Sequence, residues 1–197
     1  MNTETNTMSQ PYFSSSIYDF CQTELTNDNS DLTLFLQPFD KAEQADWIAK
    51  VTLLQARLTE LPHLSGSIFL NAPTPFGEDN AEVVILYRGL IFVLRIDLNR
   101  KHYSDDSITQ VHQQAYAFKN QHLISRDKFI IPVLLSTSAS PSGAPIQVSE
   151  DLVANTMCDS GEHLAALIEH FANQYRADEI LLEEWIQALI SPNSHKK

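Results

Sequence analysis

Residues 82–97 constrain the fold more than any other stretch of the sequence. They contain two runs rich in β-branched, aliphatic and aromatic residues, one on each side of Arg88-Gly89. A two-residue connection with a glycine that can take a positive φ is typical of a tight β-hairpin. We therefore predict an antiparallel hairpin with this turn, in which Tyr87 faces Leu90 and the rest of the register follows.

The same register places charged residues at the open end of the hairpin. Glu82 falls opposite Arg95, and Asp97 shares a face with Arg95 because side chains alternate along a strand. A carboxylate, a guanidinium and a second carboxylate therefore end an otherwise apolar hairpin. This group is the first candidate site in the sequence.

Composition and charge narrow the class of protein. The chain has 197 residues, and its 43% hydrophobic content is enough for one globular domain with a core. Its formal net charge of −12 disfavours non-specific binding to nucleic acid, because an acidic chain repels the phosphate backbone. Arg88, Arg95, Arg100 and Lys101 nevertheless gather around the hairpin and its exit. They are either a local basic patch or surface charges with local partners.

The sequence also bears on the compartment. No apolar run reaches the length of a membrane span, and residues 1–10 are polar, without the basic start and apolar centre of a secretory signal. We therefore expect a cytoplasmic protein with no membrane partner. Cys21 and Cys158 are far apart and have no metal-ligand spacing, which predicts two reduced structural thiols.

Local patterns around the hairpin predict an α/β fold. Helices are expected after the serines at 14–16, after Ser30, over 40–62 and 107–119, after a capping box of Asp159 and Glu162, and around 180–189. Strands are expected at 68–70, in the hairpin, at 129–136 in the middle of the sheet, and as an edge strand at 146–148. This order describes a mixed β-sheet with a central antiparallel hairpin flanked by helices.

The expected domain organisation is one core with short ends. Residues 1–11 are rich in Asn, Thr and Gln, which predicts a disordered tail. The core with its N-terminal helices takes up residues 12–150. A helical C-terminal extension is expected over 151–192, followed by a second tail at 193–197.

The common catalytic motifs are not evident in the sequence. It has no glycine-rich phosphate loop, no GxSxG elbow and no HExxH motif. His163 and His170 lie seven residues apart on a predicted helix, but no acidic or thiol partner is placed to complete a tetrahedral site, which favours a solvated helix surface. A Ser-His-Asp triad stays open, because its members need only meet in space.

The hairpin and its surroundings resemble a known family. The similarity covers most of the chain and is carried by short fragments in a particular order and spacing. These fragments are Tyr12-Phe13-Ser14, Gln44-Ala45-Asp46-Trp47, Leu64-Ser65-Gly66-Ser67-Ile68-Phe69, Val83-Val84-Ile85-Leu86, Gly89-Leu90-Ile91-Phe92-Val93-Leu94, Gln110-Val111, Lys119-Asn120-Gln121-His122 and Ile131-Pro132-Val133-Leu134-Leu135-Ser136-Thr137. The chain resembles the N-terminal PD-(D/E)XK nuclease-like domain of bacterial proteins that carry a schlafen-type helicase-like P-loop ATPase. The resemblance implies a restriction-endonuclease-like core.

In that family the hairpin supplies an aspartate on its first strand and a Glu-x-Lys motif on its second. The resemblance implies that two carboxylates hold a divalent cation, which polarises the phosphodiester and activates water, while the lysine steadies the developing charge. Matched by position, the aspartate site is Glu82, the glutamate site is Arg95 and the lysine site is Asp97. A further acidic position is Asn71 here. Only Gln110, on the following helix, stands as the family has it.

These departures predict a lost metal site. Arg95 places positive charge where the cation would sit, and Glu82 is expected to pair with it and replace the metal. No catalytic residue, metal ion or other cofactor is then expected. In the alternative, the catalytic residues have migrated. Glu82 and Asp97 then hold Mg²⁺ or Mn²⁺, and the ammonium group of Lys101 or Lys119 takes the role of the family's catalytic lysine.

The leading hypothesis is a pseudo-nuclease, a catalytically inactive domain that acts through protein contacts as an accessory or regulatory subunit in phage defence or a mobile element. Its partner would be a separate helicase or nuclease subunit, or a second copy of itself. The resemblance runs to Ser191-Pro192, about where the family passes into its ATPase. We therefore expect the nuclease-like domain without the ATPase. The alternatives are a divergent metal-dependent nuclease and a non-cleaving nucleic-acid binder that uses Arg88, Arg100 and Lys101.

Overall fold

The described part of the molecule contains six strands and six α-helices. A computed structural model describes residues 10–63, 65–75 and 79–190, so most of the predicted tail 1–11 and all of the predicted tail 193–197 lie outside the described residues. The strands are β1 (Phe13–Ser16), β2 (Ser67–Pro73), β3 (Asn80–Tyr87), β4 (Leu90–Asp97), β5 (Phe129–Ser136) and β6 (Met157–Asp159). The helices are α1 (Ile17–Gln22), α2 (Asp31–Leu36), α3 (Lys41–Leu58), α4 (Asp105–Gln121), α5 (Leu164–Tyr175) and α6 (Leu182–Ile190), and a 3-10 turn (Leu123–Ser125) precedes β5.

All six strands form one sheet, in which neighbours along the chain are also neighbours in space. Strands β1 to β4 pair antiparallel in succession, whereas β4, β5 and β6 are parallel. The predicted α/β class, a mixed sheet with helices around it, is confirmed. Strand β5 is buried along its whole length, as its continuous apolar run predicts for the middle of a sheet.

Strands β3 and β4 form the predicted hairpin in the predicted register. Tyr87 pairs with Leu90, and the pairing continues to Val83 and Leu94. The two turn residues between the strands have φ values of 49° and 78°. Positive φ at both central residues defines the type I′ turn, whose twist matches that of the strands it joins.

Alternation along the hairpin supplies two apolar cores. Val83 and Ile85 belong to the core that includes the buried faces of α3 and α5. Val84 and Leu86 belong to the core that includes the buried faces of α4 and α6. The hairpin therefore packs one face into each core. Packing on both faces fixes the position of its charged end.

The predicted helices are present, and their start signals are the expected caps. Ser16 and Ser30 accept the backbone N–H three residues on, at the starts of α1 and α2. Helix α3 begins with a capping box, in which Asp40 and Glu43 each accept the backbone N–H of the other. The N-terminal serines do more than cap, because Ser14 and Ser15 pair with β2 in the edge strand β1. Pairing with an existing sheet overrides the weak strand propensity of serine.

The predicted edge strand at 146–148 is wrong. Ile146 and Val148 are exposed, and the segment makes one isolated bridge, from Val148 to Ala154. The sixth strand is Met157–Asp159, which pairs in parallel with β5. Met157 is buried there, whereas Ile146 and Val148 are exposed. Residues 157–159 therefore form the strand because they bury apolar surface against the edge of β5.

The predicted capping box of Asp159 and Glu162 is also wrong. Asp159 is the last residue of β6, and its Oδ2 accepts the backbone N–H groups of Gly161 at 2.8 Å and His163 at 3.0 Å. Gly161 has a φ of 104°, which no helical residue adopts, so α5 begins only at Leu164.

The segment 151–192, predicted as a helical extension, contributes a strand as well as two helices. Strand β6 joins the sheet, α5 packs Ile168 and Phe171 into one core, and α6 places Trp185 in the other. No helix within the described ranges is long and apolar enough to cross a membrane. Cys21 and Cys158 are free thiols, as predicted, and burial raises the pKa of both.

Candidate functional site

The candidate site lies at the open end of the β3–β4 hairpin, where the two strands separate. Their pairing ends at Val83 and Leu94, one position before Glu82 and Arg95. A polar cavity of about 250 Å³ opens here. Its lining consists of polar side chains from β2, β3, β4, α4, the N-terminal segment and the residue before β3: Gln10, Asn71, Asp79, Asn80, Glu82, Arg95, Gln110 and Gln114.

Glu82 takes its cationic partner from α3. Its Oε1 lies 3.2 Å from Lys50 Nζ, and its Oε2 accepts the backbone N–H of Ile96 at 3.0 Å. The predicted ion pair between Glu82 and Arg95 is therefore wrong. Because the strands part at this point, the Ile96 N–H has lost its ladder partner, and the carboxylate supplies the missing acceptor.

Arg95 is held by its own strand and by α4. Its Nε donates to Asp97 Oδ1 at 3.0 Å, and its Nη1 donates to Gln110 Oε1. Gln110 Nε2 in turn donates to Asp79 Oδ2 at 3.3 Å. Three of the positions matched to the family, Arg95, Asp97 and Gln110, are thus joined by one chain of hydrogen bonds.

Asp97 is engaged on both carboxylate oxygens. Oδ1 accepts from Arg95, and Oδ2 accepts the hydroxyl hydrogen of Ser107 at 2.7 Å. Ser107 lies in the first turn of α4, so the carboxylate ties the end of β4 to the start of the following helix. With its side chain only 12% exposed, Asp97 is a structural link between these elements.

The opposite wall of the cavity consists of amides bonded to backbone carbonyls. Asn71 Nδ2 donates to Pro11 O at 2.8 Å, Asn80 Nδ2 to Asn71 O at 3.3 Å, and Gln114 Nε2 to Asn80 O at 3.2 Å. Asn71 also has a φ of 58° within β2, a conformation that asparagine tolerates better than most residues. Asn71, which the sequence comparison by position assigned to an expected acid, is therefore an amide in a backbone bend.

The two candidate lysines of the migrated site lie apart from each other. Lys101 is exposed in the loop between β4 and α4 and is not among the described residues that line the cavity. Lys119 is buried at the C-terminal end of α4, where Nζ donates to the carbonyls of Arg126, at 3.3 Å, and Lys128. Burial lowers the pKa of Lys119. Gln110 lies about 13 Å nearer the N-terminal end of the same helix, at about 1.5 Å per residue.

The basic residues proposed as a nucleic-acid surface are divided between the two ends of β4. Arg88 is in the hairpin turn, and Arg100 and Lys101 follow the last residue of the strand. At about 3.3 Å per residue, the strand between them is roughly 26 Å long. The predicted gathering around the hairpin is therefore two separate groups.

The pair His163 and His170 is also divided. Both side chains are exposed, as predicted for a solvated surface. His163 precedes α5, with Nδ1 3.1 Å from Asp159 Oδ1, whereas the His170 ring contacts Phe171 edge-on. The two rings have different neighbours and form no common site.

Several residues of the cavity were not predicted from the sequence. Only some of them lie in a local sequence pattern that could have indicated them. Gln114 lies one helical turn after Gln110, so the two were bound to share a face of α4. Asp79 and Asn80 directly precede the first hairpin strand. Lys50 had no local signal, because its contact with Glu82 spans 32 positions of sequence.

The arrangement as a whole is a set of internally satisfied charges. Lys50 balances Glu82, and Arg95 balances Asp97. Across residues 10–63, 65–75 and 79–190, no three His, Cys, Asp or Glu side chains come together as a metal-binding group. A divalent cation at this end of the hairpin would compete with Lys50 and Arg95 for the carboxylates.

The comparisons with known proteins return no relative. No protein-family model, no curated protein and no solved structure matches the chain.

Proposed function

We propose that this chain is a pseudo-nuclease, a catalytically inactive PD-(D/E)XK-like domain that acts through protein contacts as an accessory or regulatory subunit. The observation that carries the proposal is the Arg95 guanidinium. The resemblance matches Arg95 to a metal-binding glutamate, and hydrogen bonds to Asp97 and Gln110 hold the guanidinium in place. A fixed positive charge at this position repels the cation on which the chemistry depends.

The partners of the two remaining carboxylates also support loss of the metal. Glu82 is neutralised by Lys50 and bonded to a backbone N–H, while both oxygens of Asp97 accept hydrogen bonds. A partly buried carboxylate that loses its cation and its hydrogen bond leaves unpaired groups behind, which costs about 1–3 kcal/mol. Retaining these pairs is therefore favoured over binding a metal.

The order of elements fits the resemblance. A strand, the hairpin, a helix and a buried strand parallel to the second hairpin strand follow one another as β2, β3–β4, α4 and β5. This is the order on which the expectation of a restriction-endonuclease-like core rests. The cavity is lined by Glu82 and Arg95, two of the positions that the resemblance matches to the metal-binding carboxylates.

A metal titration tests the loss of the cofactor site. Calorimetry is expected to show no saturable binding of Mg²⁺ or Mn²⁺ at Glu82 in the wild type. Glu82→Ala is therefore expected to give the same titration curve as the wild type. Arg95→Glu removes the guanidinium and adds a carboxylate beside Asp97, so this variant is expected to gain Mn²⁺ binding. Arg100→Glu, on the exposed loop, is the matched control and is expected to behave as wild type. Saturable wild-type binding that Glu82→Ala abolishes would contradict the proposal.

A plasmid-nicking assay tests the alternative of a divergent nuclease. In Mn²⁺, wild type and Asp97→Ala are expected to show equal and negligible nicking. Nicking by wild type that Asp97→Ala or Lys101→Ala abolishes would establish migrated catalytic residues instead. The same preparations are expected to give no gel shift with single- or double-stranded substrates, whatever the salt concentration.

Sedimentation and affinity capture test the protein-contact role. The full chain is expected to form either a concentration-dependent dimer or a stoichiometric complex with a defined helicase or nuclease subunit. A monodisperse monomer that captures no partner would contradict this role, even if the metal site is lost.

A further inference from the structure

Each of four amides at the hairpin-end cavity donates one N–H to an acceptor inside the protein. The NH₂ groups of Asn71, Asn80 and Gln114 each donate to a backbone carbonyl, and that of Gln110 donates to the Asp79 carboxylate. These partners can only accept, so each amide has one possible orientation. One N–H of each amide is therefore directed into the protein. The Gln110 oxygen accepts from Arg95, and the oxygens of the other three amides are left to face the cavity.

Three of those oxygens have no hydrogen-bond partner among the residues that the structure describes. They are Oδ1 of Asn71, Oδ1 of Asn80 and Oε1 of Gln114, all from side chains that line the cavity. Asn71 and Gln114 are only 8% and 9% exposed. The fully buried side-chain atoms without a partner in the described ranges are Arg57 Nε and Ser136 Oγ, so these amide oxygens are open to the cavity. There they accept hydrogen bonds from water or from a ligand that brings several donors.

Charge selects a cationic ligand. Lys50 balances Glu82 and Asp97 balances Arg95, so among the described side chains the surplus charge at the cavity is that of the Asp79 carboxylate, which accepts from the neutral Gln110 amide. Two of the five N–H donors of Arg95, one on Nε and one on Nη1, are already taken by Asp97 and Gln110. The lining is thus acidic and rich in acceptors, in a chain whose net charge is −12, which disfavours phosphates and other anions.

Size selects a side chain over a whole small molecule. The cavity has a volume of about 250 Å³, below the roughly 300–1,000 Å³ of pockets that enclose complete ligands. We propose that the cavity receives the ammonium or guanidinium group of a lysine or arginine side chain from a partner protein. This inference rests on the proposed protein-contact function and names the group by which the partner is recognised.

Side-chain amide NMR tests the proposal on the full chain. The probes are N-acetyl-arginine amide and N-acetyl-lysine amide, whose capped ends leave only the side-chain charge, with N-acetyl-citrulline amide as the neutral control. The arginine and lysine probes are expected to give saturable shifts at the amide groups of Asn71, Asn80 and Gln114. The citrulline probe is expected to give none.

Two variants and one control make the test specific. Glu82→Gln removes a charge but keeps an acceptor for Ile96, and Asp79→Asn alters an exposed side chain, so a fold defect in one leaves the other informative. Each is expected to weaken probe binding about tenfold, the loss of a hydrogen bond to a charged group. Asp127→Asn removes an exposed carboxylate from the turn before β5 and is expected to leave the affinity unchanged.

The inference fails if the cationic probes shift none of these amides, or if Asp127→Asn weakens binding as much as Asp79→Asn does. It also fails if Mg²⁺ or Ca²⁺ shifts the same amides and displaces the arginine probe, because the cavity would then hold a metal. These failures are distinct from failure of the proposed function. A captured partner with no probe binding refutes only this inference, whereas nuclease activity refutes the proposed function.

Discussion

The Lys50 ammonium lies 3.2 Å from Glu82 Oε1, which joins the middle of α3 to the first hairpin strand. Lys50 Nζ is also 5.4 Å from the centroid of the Trp47 ring, one turn earlier on the helix. The side chains of Lys50 and Glu82 are only 15% and 23% exposed, so the pair is partly withdrawn from water. Such a pair is more strongly coupled than an exposed one.

A double-mutant cycle of Lys50→Met and Glu82→Gln is expected to give a coupling energy of about 1 kcal/mol, at the upper end for ion pairs that retain some exposure. Urea unfolding of the two single variants and the double variant measures it. Arg57 and Glu60, 31% and 48% exposed at the end of α3, form the matched control pair. That pair is expected to couple by about 0.3 kcal/mol. Equal coupling in both cycles would argue against a special role for Lys50.

Gly89 is required both for its backbone conformation and for its lack of a side chain. Its φ is 78°, and an added Cβ would lie 2.6 Å from backbone atoms of Ala177 and Asp178, in the link between α5 and α6. We expect Gly89→Ala to lower the free energy of unfolding by about 2–3 kcal/mol, since left-handed strain alone costs about 1–2.

The control for Gly89 is Gly143, where an added Cβ meets nothing within 4 Å. Gly143→Ala is expected to be neutral or to stabilise slightly, by about 0.4–1 kcal/mol, because alanine restricts the unfolded chain. Denaturant unfolding of both variants checks the contrast. A Gly89→Ala variant as stable as Gly143→Ala would show that the turn and the link can both move aside.

Tyr87, the last residue of β3, donates its hydroxyl hydrogen to the Glu169 carboxylate on α5. Burial, followed by the bond to Glu169, raises the pKa of Tyr87. Tyr87→Phe is expected to lower the free energy of unfolding by about 1 kcal/mol at neutral pH. Tyr18→Phe, at a ring that is 55% exposed, is the matched control and is expected to change it by less than about 0.5 kcal/mol.

Alkaline unfolding gives a second measurement on Tyr87. A phenol whose pKa is raised in the folded state ionises first in the unfolded state, so its contribution to stability falls as the pH rises above about 10. Wild type is therefore expected to lose stability in this range relative to Tyr87→Phe. A difference between the two proteins that stays constant across this range would contradict the predicted linkage.

The hairpin could be predicted from the sequence because its determinants are local. Arg88-Gly89 sets the turn, the turn sets the register, and the alternation of Val83 to Tyr87 sets the faces. The long helix from Asp40 and the central strand 129–136 were equally local in their signals. Each of these elements is specified by residues within one window of the chain.

The partners of the charged residues could not be predicted in the same way. Register alone places Glu82 opposite Arg95, but the strands part before that position, and the carboxylate bonds to Ile96 and Lys50 instead. Whether two strands stay paired at their ends depends on the helices packed against them and on bends such as that at Asn71. Those constraints come from residues far away in the sequence. Local sequence patterns therefore predict which charged residues belong to the site, but they do not predict which of them pair.

His122 links the end of α4 to the C-terminal helix and predicts acid sensitivity. The ring is fully buried, with Nε2 2.9 Å from Trp185 O and Nδ1 2.7 Å from Ser125 Oγ. The carbonyl can only accept, so Nε2 carries the hydrogen and Nδ1 accepts from the Ser125 hydroxyl. Ser125 Oγ in turn accepts from the indole N–H of Trp185 at 3.2 Å.

Burial lowers the pKa of His122, so the folded state resists a proton that the unfolded state accepts. Stability is then expected to fall as the pH drops below about 6.5, with a limiting slope of about 1.4 kcal/mol per pH unit, until the folded-state pKa is reached. Urea unfolding of wild type and His122→Gln between neutral and acidic pH measures it, since carboxylates common to both cancel in the difference. The wild type is expected to lose more stability than His122→Gln over this range. Parallel curves for the two proteins would mean that the buried ring is protonated without cost and that the contacts of α6 survive its charge.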